Sequence, residues 1–549
     1  MRGRLSTKAF TARALMRSGM LAPERPDRAA RCMLAVARWG PTAAAGCIVS
    51  AIRHPEAVAI VDELGSLTFE ELDRRTDGLA LGLRALGVVE NDVVALMCRN
   101  HRGFVETTIA CSKLGAHVLL LNTGFAGPQV AQVCAREAPV AIVFDDEFGE
   151  RVADAARDRL SVLAWCERPA PEQPTLESLI EAGGDGGELE PPAAPGRQVV
   201  LTSGTTGTPK GAIREQPETF DPVAGLLSLI ALRARERTLI AVPLFHSWGL
   251  AHLVIGSGLS STLVLRRRFD ARETLRAIDE HGVTALVVAP VMLSRILDLG
   301  AKAIGHDDSG SLRVIASSGS ALPGDLATRV MDAFGDVLYN LYGSTEVAWA
   351  TIATPRDLRE EPATAGRPVR GTVVRLYGDD DVELTEPGRS GRIFVGGEMV
   401  FNGYTGASAR TTIDGLVSTG DVGHLDEQGR LYVDGREDEM IVSGAENIFP
   451  GEVEDAIARL RGVAEVAVTG VPDDEFGERL RAFVVARAGA RLSAGDVREH
   501  VAATLARFKV PRDVVFLDEL PRTATGKVLK RELGENGALA SRPTRPSSL

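Results

Sequence analysis

The segment richest in chemistry begins at residue 202. Val199-Val200-Leu201 reads as a buried strand and runs straight into Thr202-Ser203-Gly204-Thr205-Thr206-Gly207-Thr208-Pro209-Lys210-Gly211. Glycines let a backbone curl until its N–H groups point inward, which makes an anion nest. Four threonines and a serine add hydroxyl donors, and Lys210 adds a positive charge. The composition is that of a polyphosphate cradle. It is not a Walker A loop, because Gly211 follows the lysine and the glycine spacing is wrong. A plain Gly/Thr turn would not need so many such residues behind a strand.

Three later segments add groups of complementary type. Tyr342-Gly343-Ser344-Thr345-Glu346 follows the strand-like Val337-Leu338-Tyr339. There an aromatic ring can stack on a base, a hydroxyl can donate to a phosphate, and a carboxylate can hold Mg²⁺ as a hard oxygen ligand. Ser418-Thr419-Gly420-Asp421-Val422-Gly423 offers a carboxylate held by a turn, suited to two ribose hydroxyls. Leu520-Pro521-Arg522-Thr523-Ala524-Thr525-Gly526-Lys527 presents a lysine on a glycine turn, a mobile point charge. Alone, each is weak: a strand end, a charged turn, a surface lysine.

In this order the segments resemble the adenylate-forming superfamily: acyl- and aryl-CoA synthetases, peptide-synthetase adenylation domains and firefly luciferase. The resemblance covers residues 50–535. It implies that a carboxylate attacks the α-phosphate of ATP to give an acyl-adenylate and pyrophosphate, after which a thiol displaces AMP. ATP, Mg²⁺ and CoA are the implied cofactors. It implies that Thr202, Ser203, Gly204, Thr205, Thr206, Gly207 and Lys210 serve the phosphates. Tyr342, Gly343 and Thr345 serve the nucleotide, and Glu346 the metal. Gly319, in Ser317-Ser318-Gly319-Ser320, lies where the family lays backbone against adenine and the acyl pocket. Asp421 and Arg436 are implied to hold the ribose and phosphate, Asp438 to be a hinge, and Gly444 to line the pantetheine tunnel. Lys527 is implied to be the catalytic lysine, bridging the carboxylate and the α-phosphate. The chain departs from the usual text at Ser318 and Ser320, at Ala445, and at Glu439, where an aspartate is common.

Pro243-Leu244-Phe245-His246-Ser247-Trp248-Gly249-Leu250 matches the family's pocket-entrance segment, which implies that His246 gates the acyl site. A structural role on a turn is the other reading of His246. The stretch to Leu265 is small and apolar, and the pocket segments hold no obvious aspartate to grip an amino group. Arg99 to Phe104 and Leu121 to Phe125 resemble actinobacterial fatty-acyl-CoA synthetases. The expectation is a fatty acid–CoA ligase for a medium- or long-chain acid. The alternatives are a fatty-acyl-AMP ligase loading an acyl carrier protein, a ligase for an aryl or amino acid, and a catalytically silent nucleotide-binding scaffold.

The elements needed to position these groups are legible as alternating apolar runs and helical spacings. Val93–Met97, His117–Leu121 and Val140–Phe144 are continuous apolar runs, expected of strands covered on both faces, and helical patterns separate them. The fold class is therefore α/β with largely parallel sheets. Glu181–Gln198 reads as a loop, and Gly371–Val433 reads as a small β subdomain. Strands at Ala464–Val468 and Arg481–Ala486 and helices at Glu452–Leu460 and Ser493–Ala506 form a further α/β unit. The expected division is an N-terminal extension (1–54), a large domain (55–435), a hinge (436–441), a small C-terminal domain (442–534) and a disordered tail (535–549).

Composition narrows the class further. The net charge of −12 argues against a nucleic-acid binder. Residues 1–54 run the other way, with ten Lys/Arg against Glu24 and Asp27, so the rest carries −20. Such a stretch suits peripheral contact with an anionic membrane or ordinary packing as a helix on the domain. No window reaches the ~18 apolar residues of a spanning helix, and no signal peptide is evident. The six cysteines form no CxxC pair and read as single thiols of a cytoplasmic protein.

Overall fold

The computed structural model describes residues 2–167, 173–184, 189–202, 210–214, 219–304, 310–401, 403–404, 411–443, 446–473, 477–523, 527–530 and 532–533. Ser203, Gly204, Thr205, Thr206, Gly207, Gly444 and the 535–549 tail lie outside them.

Two large sheets carry the strands up to Pro368, together with Gly403–Tyr404. One has nine strands, ordered Arg367–Pro368, Ala348–Ala353, Leu338–Ser344, Val314–Ser317, Ala285–Val288, Arg237–Ile240, Thr262–Leu265, Val58–Asp62 and Gly65–Thr68. Its central pairs are parallel and its margins antiparallel. The other has seven, ordered Gly403–Tyr404, Lys210–Arg214, Gln198–Thr202, His117–Leu120, Val93–Met97, Ala141–Asp145 and Leu160–Trp165. Val93–Met97 shows why a strand here is apolar at every position: Val94 and Leu96 face one core, Ala95 and Met97 another. Helices cover the sheets and begin at marked residues. Thr68 caps Phe69–Ala85, its Oγ1 accepting from Glu71 N while Glu71 Oε2 accepts from Thr68 N at 2.7 Å.

The expected β subdomain is an antiparallel sheet of Val373–Tyr377, Gly391–Gly396, Leu416–Leu425, Thr412–Ile413 and Leu431–Arg436. The C-terminal unit has five strands with the Pro450–Ala458 and Ala494–Thr504 helices, packed around Ile448, Val453, Ile457, Val468 and Val484. The Glu181–Gln198 loop starts slightly late, because the Leu176–Gly183 helix runs into it.

Residues 1–54 form three helices: α1 (Arg2–Ser18), α2 (Pro26–Trp39) and α3 (Ala43–Arg53). Two of them pack into the large unit. Ala14 and Leu15 of α1 and Ala43 and Cys47 of α3 join its main core, and Ser50 Oγ donates to the Ser257 carbonyl at 2.8 Å. Among the described residues no helix is long and apolar enough to cross a membrane. None of the six cysteines forms a disulfide, and four of them are buried.

Candidate nucleotide and acid site

The phosphate-cradle segment is anchored at both ends by one hairpin. Gln198–Thr202 pairs antiparallel with Lys210–Arg214, Thr202 opposite Lys210, and parallel with His117–Leu120. The described chain therefore leaves this sheet at Thr202 and is in it again at Lys210.

Tyr342, Gly343 and Ser344 are not in a loop after a strand, as expected, but are the last residues of Leu338–Ser344. Gly343 is required there, because a Cβ would fall 1.8 Å from the Ala348 carbonyl oxygen across the hairpin. Ser318 Oγ donates to the Leu341 carbonyl at 2.9 Å and ties the neighbouring strand end to this one. Gly319 follows at φ +98°, a left-handed backbone that suits glycine. Glu346 is buried, its backbone N–H donating to Ser344 Oγ at 3.2 Å and its carbonyl accepting from Phe401 N at 2.7 Å. A buried carboxylate beside Thr345 fits a hard divalent cation.

Asp421 likewise sits inside a strand, Leu416–Leu425, and not in a turn. The strand kinks at Gly420 (φ +75°), and its pairing with Gly391–Gly396 shifts register between Arg392 and Phe394. Both carboxylate oxygens are engaged. Tyr342 Oη donates to Oδ2 at 2.7 Å, and Arg436 Nη1 lies 3.2 Å from Oδ1. The same guanidinium reaches Asp438 through Nε at 3.1 Å. Burial pushes the Asp421 carboxyl upward, against the Tyr342 hydrogen bond and the charges of Arg436 and Lys527. Burial also pushes the Tyr342 phenol well up, so it stays a donor.

Lys527 belongs to the C-terminal unit, yet its charge acts on Asp421 of the large unit. It is exposed, and its backbone is fastened to Thr523 by Lys527 N to Thr523 Oγ1 (3.1 Å) and Thr523 N to Lys527 O (2.8 Å). Asp438 lies in the single turn Glu437–Glu439 between the units. Lys530 links that turn to the C-terminal unit, 3.2 Å from Glu439 and 2.9 Å from Glu454.

His246 is the residue preceding the Ser247–Gly258 helix. Its ring lies against Phe245, and burial lowers its pKa to about 4, so it is neutral near pH 7. Sequence reasoning missed the residue that holds its approach. Buried Asn100 donates to the Ile240 and Val242 carbonyls (3.1 and 2.8 Å) and accepts from Leu244 N (2.8 Å). An asparagine after an apolar strand carries no signal of this in its own neighbourhood. His252, one turn along the helix, was also missed. It is buried edge-on to Trp248, and burial lowers its pKa to about 4.

Beside Thr345 and the root of the Gln198–Thr202 strand lies an apolar cavity of about 650 Å³, a volume typical of small-molecule sites at ~300–1,000 Å³. Ser247, Leu250, Ala251 and Val254 line it, whereas His246 and Gly319 do not.

The AMP-binding enzyme family matches residues 49–405, and the AMP-binding enzyme C-terminal domain matches residues 452–527. The chain is similar to the indoleacetate–CoA ligase of Aromatoleum aromaticum, 36% identical over 493 residues, 88% of this chain and 94% of that protein. It is similar to a feruloyl-CoA synthase of Amycolatopsis sp, 35% identical over 494 residues, 87% of this chain and 96% of that protein. Among solved structures it is similar to the o-succinylbenzoate coenzyme A synthetase of Bacillus subtilis in complex with ATP and magnesium ion. There the TM-score is 0.78 at 27% identity, over 89% of this chain and 98% of that one.

Proposed function

The chain belongs to the AMP-binding enzyme family, and from that premise we propose that it is an ATP-dependent ligase joining an apolar carboxylic acid to CoA through an acyl-adenylate. A carboxylate oxygen attacks the α-phosphorus of ATP, and the bond from that phosphorus to the bridging oxygen of pyrophosphate breaks. The sulfur of CoA then attacks the acyl carbonyl carbon. The thiol proton passes to solvent, the C–S bond forms, and the C–O bond to AMP breaks.

The observation that supports this reading is the Tyr342–Asp421–Arg436 cluster, which reaches the Asp438 turn in a chain whose two parts both match the family. The barrier is electrostatic, since a carboxylate must approach a polyphosphate. Lys527, placed where negative charge builds on the α-phosphorus, lowers it most in the transition state. Asp421 accepts from the ribose hydroxyls, the Tyr342 ring stacks on the base, and Arg436 steadies Asp421. Thr202, Ser203, Gly204, Thr205, Thr206, Gly207 and Lys210 hold the phosphates, and Thr345 donates to them as well. Glu346 holds Mg²⁺, which when bound neutralises phosphate charge. Gly343 and Gly319 let backbone approach the nucleotide. Asp438 is the hinge by which the C-terminal unit turns away, and Gly444 then lines the thiol's path. His246, neutral in its own pocket and held against Phe245, acts at the acid's entrance only through the adjoining Ser247, which lines the cavity.

Two acid classes have support. The apolar cavity favours an aliphatic acid of medium or long chain. The indoleacetate and feruloyl relatives favour an aryl acid. The test is pyrophosphate and AMP release from ATP and Mg²⁺ across a panel of aliphatic and aryl acids, with CoA and a holo acyl carrier protein compared as acceptors. AMP with CoA thioester supports the proposal. ADP in place of AMP, or no turnover with any acid, refutes it.

A further inference from the structure

We infer that the three N-terminal helices are a specificity element: they form the outer wall of the acid's tunnel and select a long hydrocarbon tail. This rests on the ligase reading and adds what the family match alone, beginning at residue 49, does not contain.

The cavity beside Thr345 has two facing walls of the same design. On the Ser247–Gly258 helix, Ser247, Leu250, Ala251, Val254, Ile255 and Gly258 line it. On and just beyond α2, Ala29, Cys32, Met33, Val36, Ala37 and Gly40 line it. Both sets recur at three- and four-residue steps, the signature of one helical face. For most amphipathic helices that face packs on a core. In α2 only Ala35 is buried. Its apolar stripe lines the cavity instead, so much of the helix's apolar surface is left only partly covered by protein. Filling the cavity with hydrocarbon gives that stripe its contacts.

The cavity also offers a tail few polar partners. Its charged side chains, Glu24 and Arg53, face each other at 3.5 Å, and Arg53 Nη1 donates to the Met20 carbonyl at 3.1 Å. Thr42 Oγ1 donates to the Trp39 carbonyl and accepts from Ala45 N. With these groups engaged, a tail hydroxyl or second carboxylate enclosed beside them would lose water without replacement. A methylene chain loses nothing. Met33, lining the cavity yet 67% exposed, marks an opening to solvent at α2. A tail longer than the tunnel therefore protrudes beside Met33, so activity should rise with chain length and then level.

The test uses the full chain with Val36→Trp, which adds bulk to the open stripe of α2 without touching its packed side. Leu34→Trp, on the exposed face of the same helix, is the control. For Val36→Trp, kcat/KM for hexadecanoate should fall about tenfold or more, because several methylenes lose their buried place, while hexanoate stays within about twofold. Leu34→Trp should leave both unchanged. Binding of the fluorescent polyene cis-parinarate without ATP should weaken in parallel in Val36→Trp. Equal loss for both acids, an effect of Leu34→Trp as large as that of Val36→Trp, or unaltered parinarate binding overturns the inference. If the unmodified protein releases no pyrophosphate with any acid, the ligase reading fails by itself, and parinarate binding still decides the tunnel.

Discussion

Tyr342 and Asp421 lie 79 positions apart and are joined by one hydrogen bond, Oη to Oδ2 at 2.7 Å. The bond closes a bridge between the nine-stranded sheet and the antiparallel subdomain. Arg436 extends it, touching Asp421 and Asp438 at once, so the same carboxylate is tied to the junction between units. On the proposed reading, nucleotide capture and the position of the C-terminal unit would therefore share a residue.

Tyr342→Phe keeps the ring and removes the donor. A buried acceptor left short of a partner costs about 1–3 kcal/mol, so KM for ATP should rise about 5- to 150-fold with kcat nearly unchanged. Steady-state kinetics with varied ATP checks this. An unaltered KM removes Tyr342 and Asp421 from the nucleotide site.

Lys527→Ala should separate the half-reactions. Loss of one preorganised donor to the developing charge is worth about 10²–10³ in rate, so pyrophosphate release should fall by that much. Transfer from preformed acyl-AMP to CoA should stay within about threefold of the unmodified protein, because Lys527 takes no part in that step. Rapid-quench assays of each half-reaction would show equal losses if Lys527 acted otherwise.

Gly343→Ala puts a methyl group where the Ala348 carbonyl oxygen already stands. The hairpin must open, at a cost of about 1–3 kcal/mol or more. The melting temperature should fall by several degrees, and ATP should no longer protect against unfolding. A variant that melts normally and binds ATP would mean that the strand end adapts freely.

His252 makes stability depend on acid. Its pKa in the folded protein is about 4, below the ordinary value of 6.5. Between those values the unfolded chain binds a proton that the native ring refuses, so stability falls as pH drops from 6.5 toward 4. By pH 5 the loss is about 2 kcal/mol. His252→Gln should lose less melting temperature between pH 7.5 and pH 5 than the unmodified protein. Identical losses in scanning calorimetry would show that the ring is hydrated.

Much of this molecule is readable from short windows of chain. The strands at Val93–Met97 and His117–Leu120 announce themselves because both faces of each are covered, and the phosphate-cradle segment because glycine and hydroxyl chemistry is local. Other features needed the assembled fold. Asp421 reads as a turn residue, since a Thr-Gly-Asp text looks alike in a turn and in a strand kinked at glycine; pairing with Gly391–Gly396 selects the strand. Asn100 reads only as part of a segment of family resemblance, and its own role shows once Leu244 is brought beside it. The basic N-terminal residues show the limit best. Apolar positions at helical spacing state that a helix will hide one face, but not from what. Whether that face meets core, membrane or an open cavity depends on partners hundreds of residues away, here the helix at 247–258, and such long-range packing is written in no single stretch of the chain.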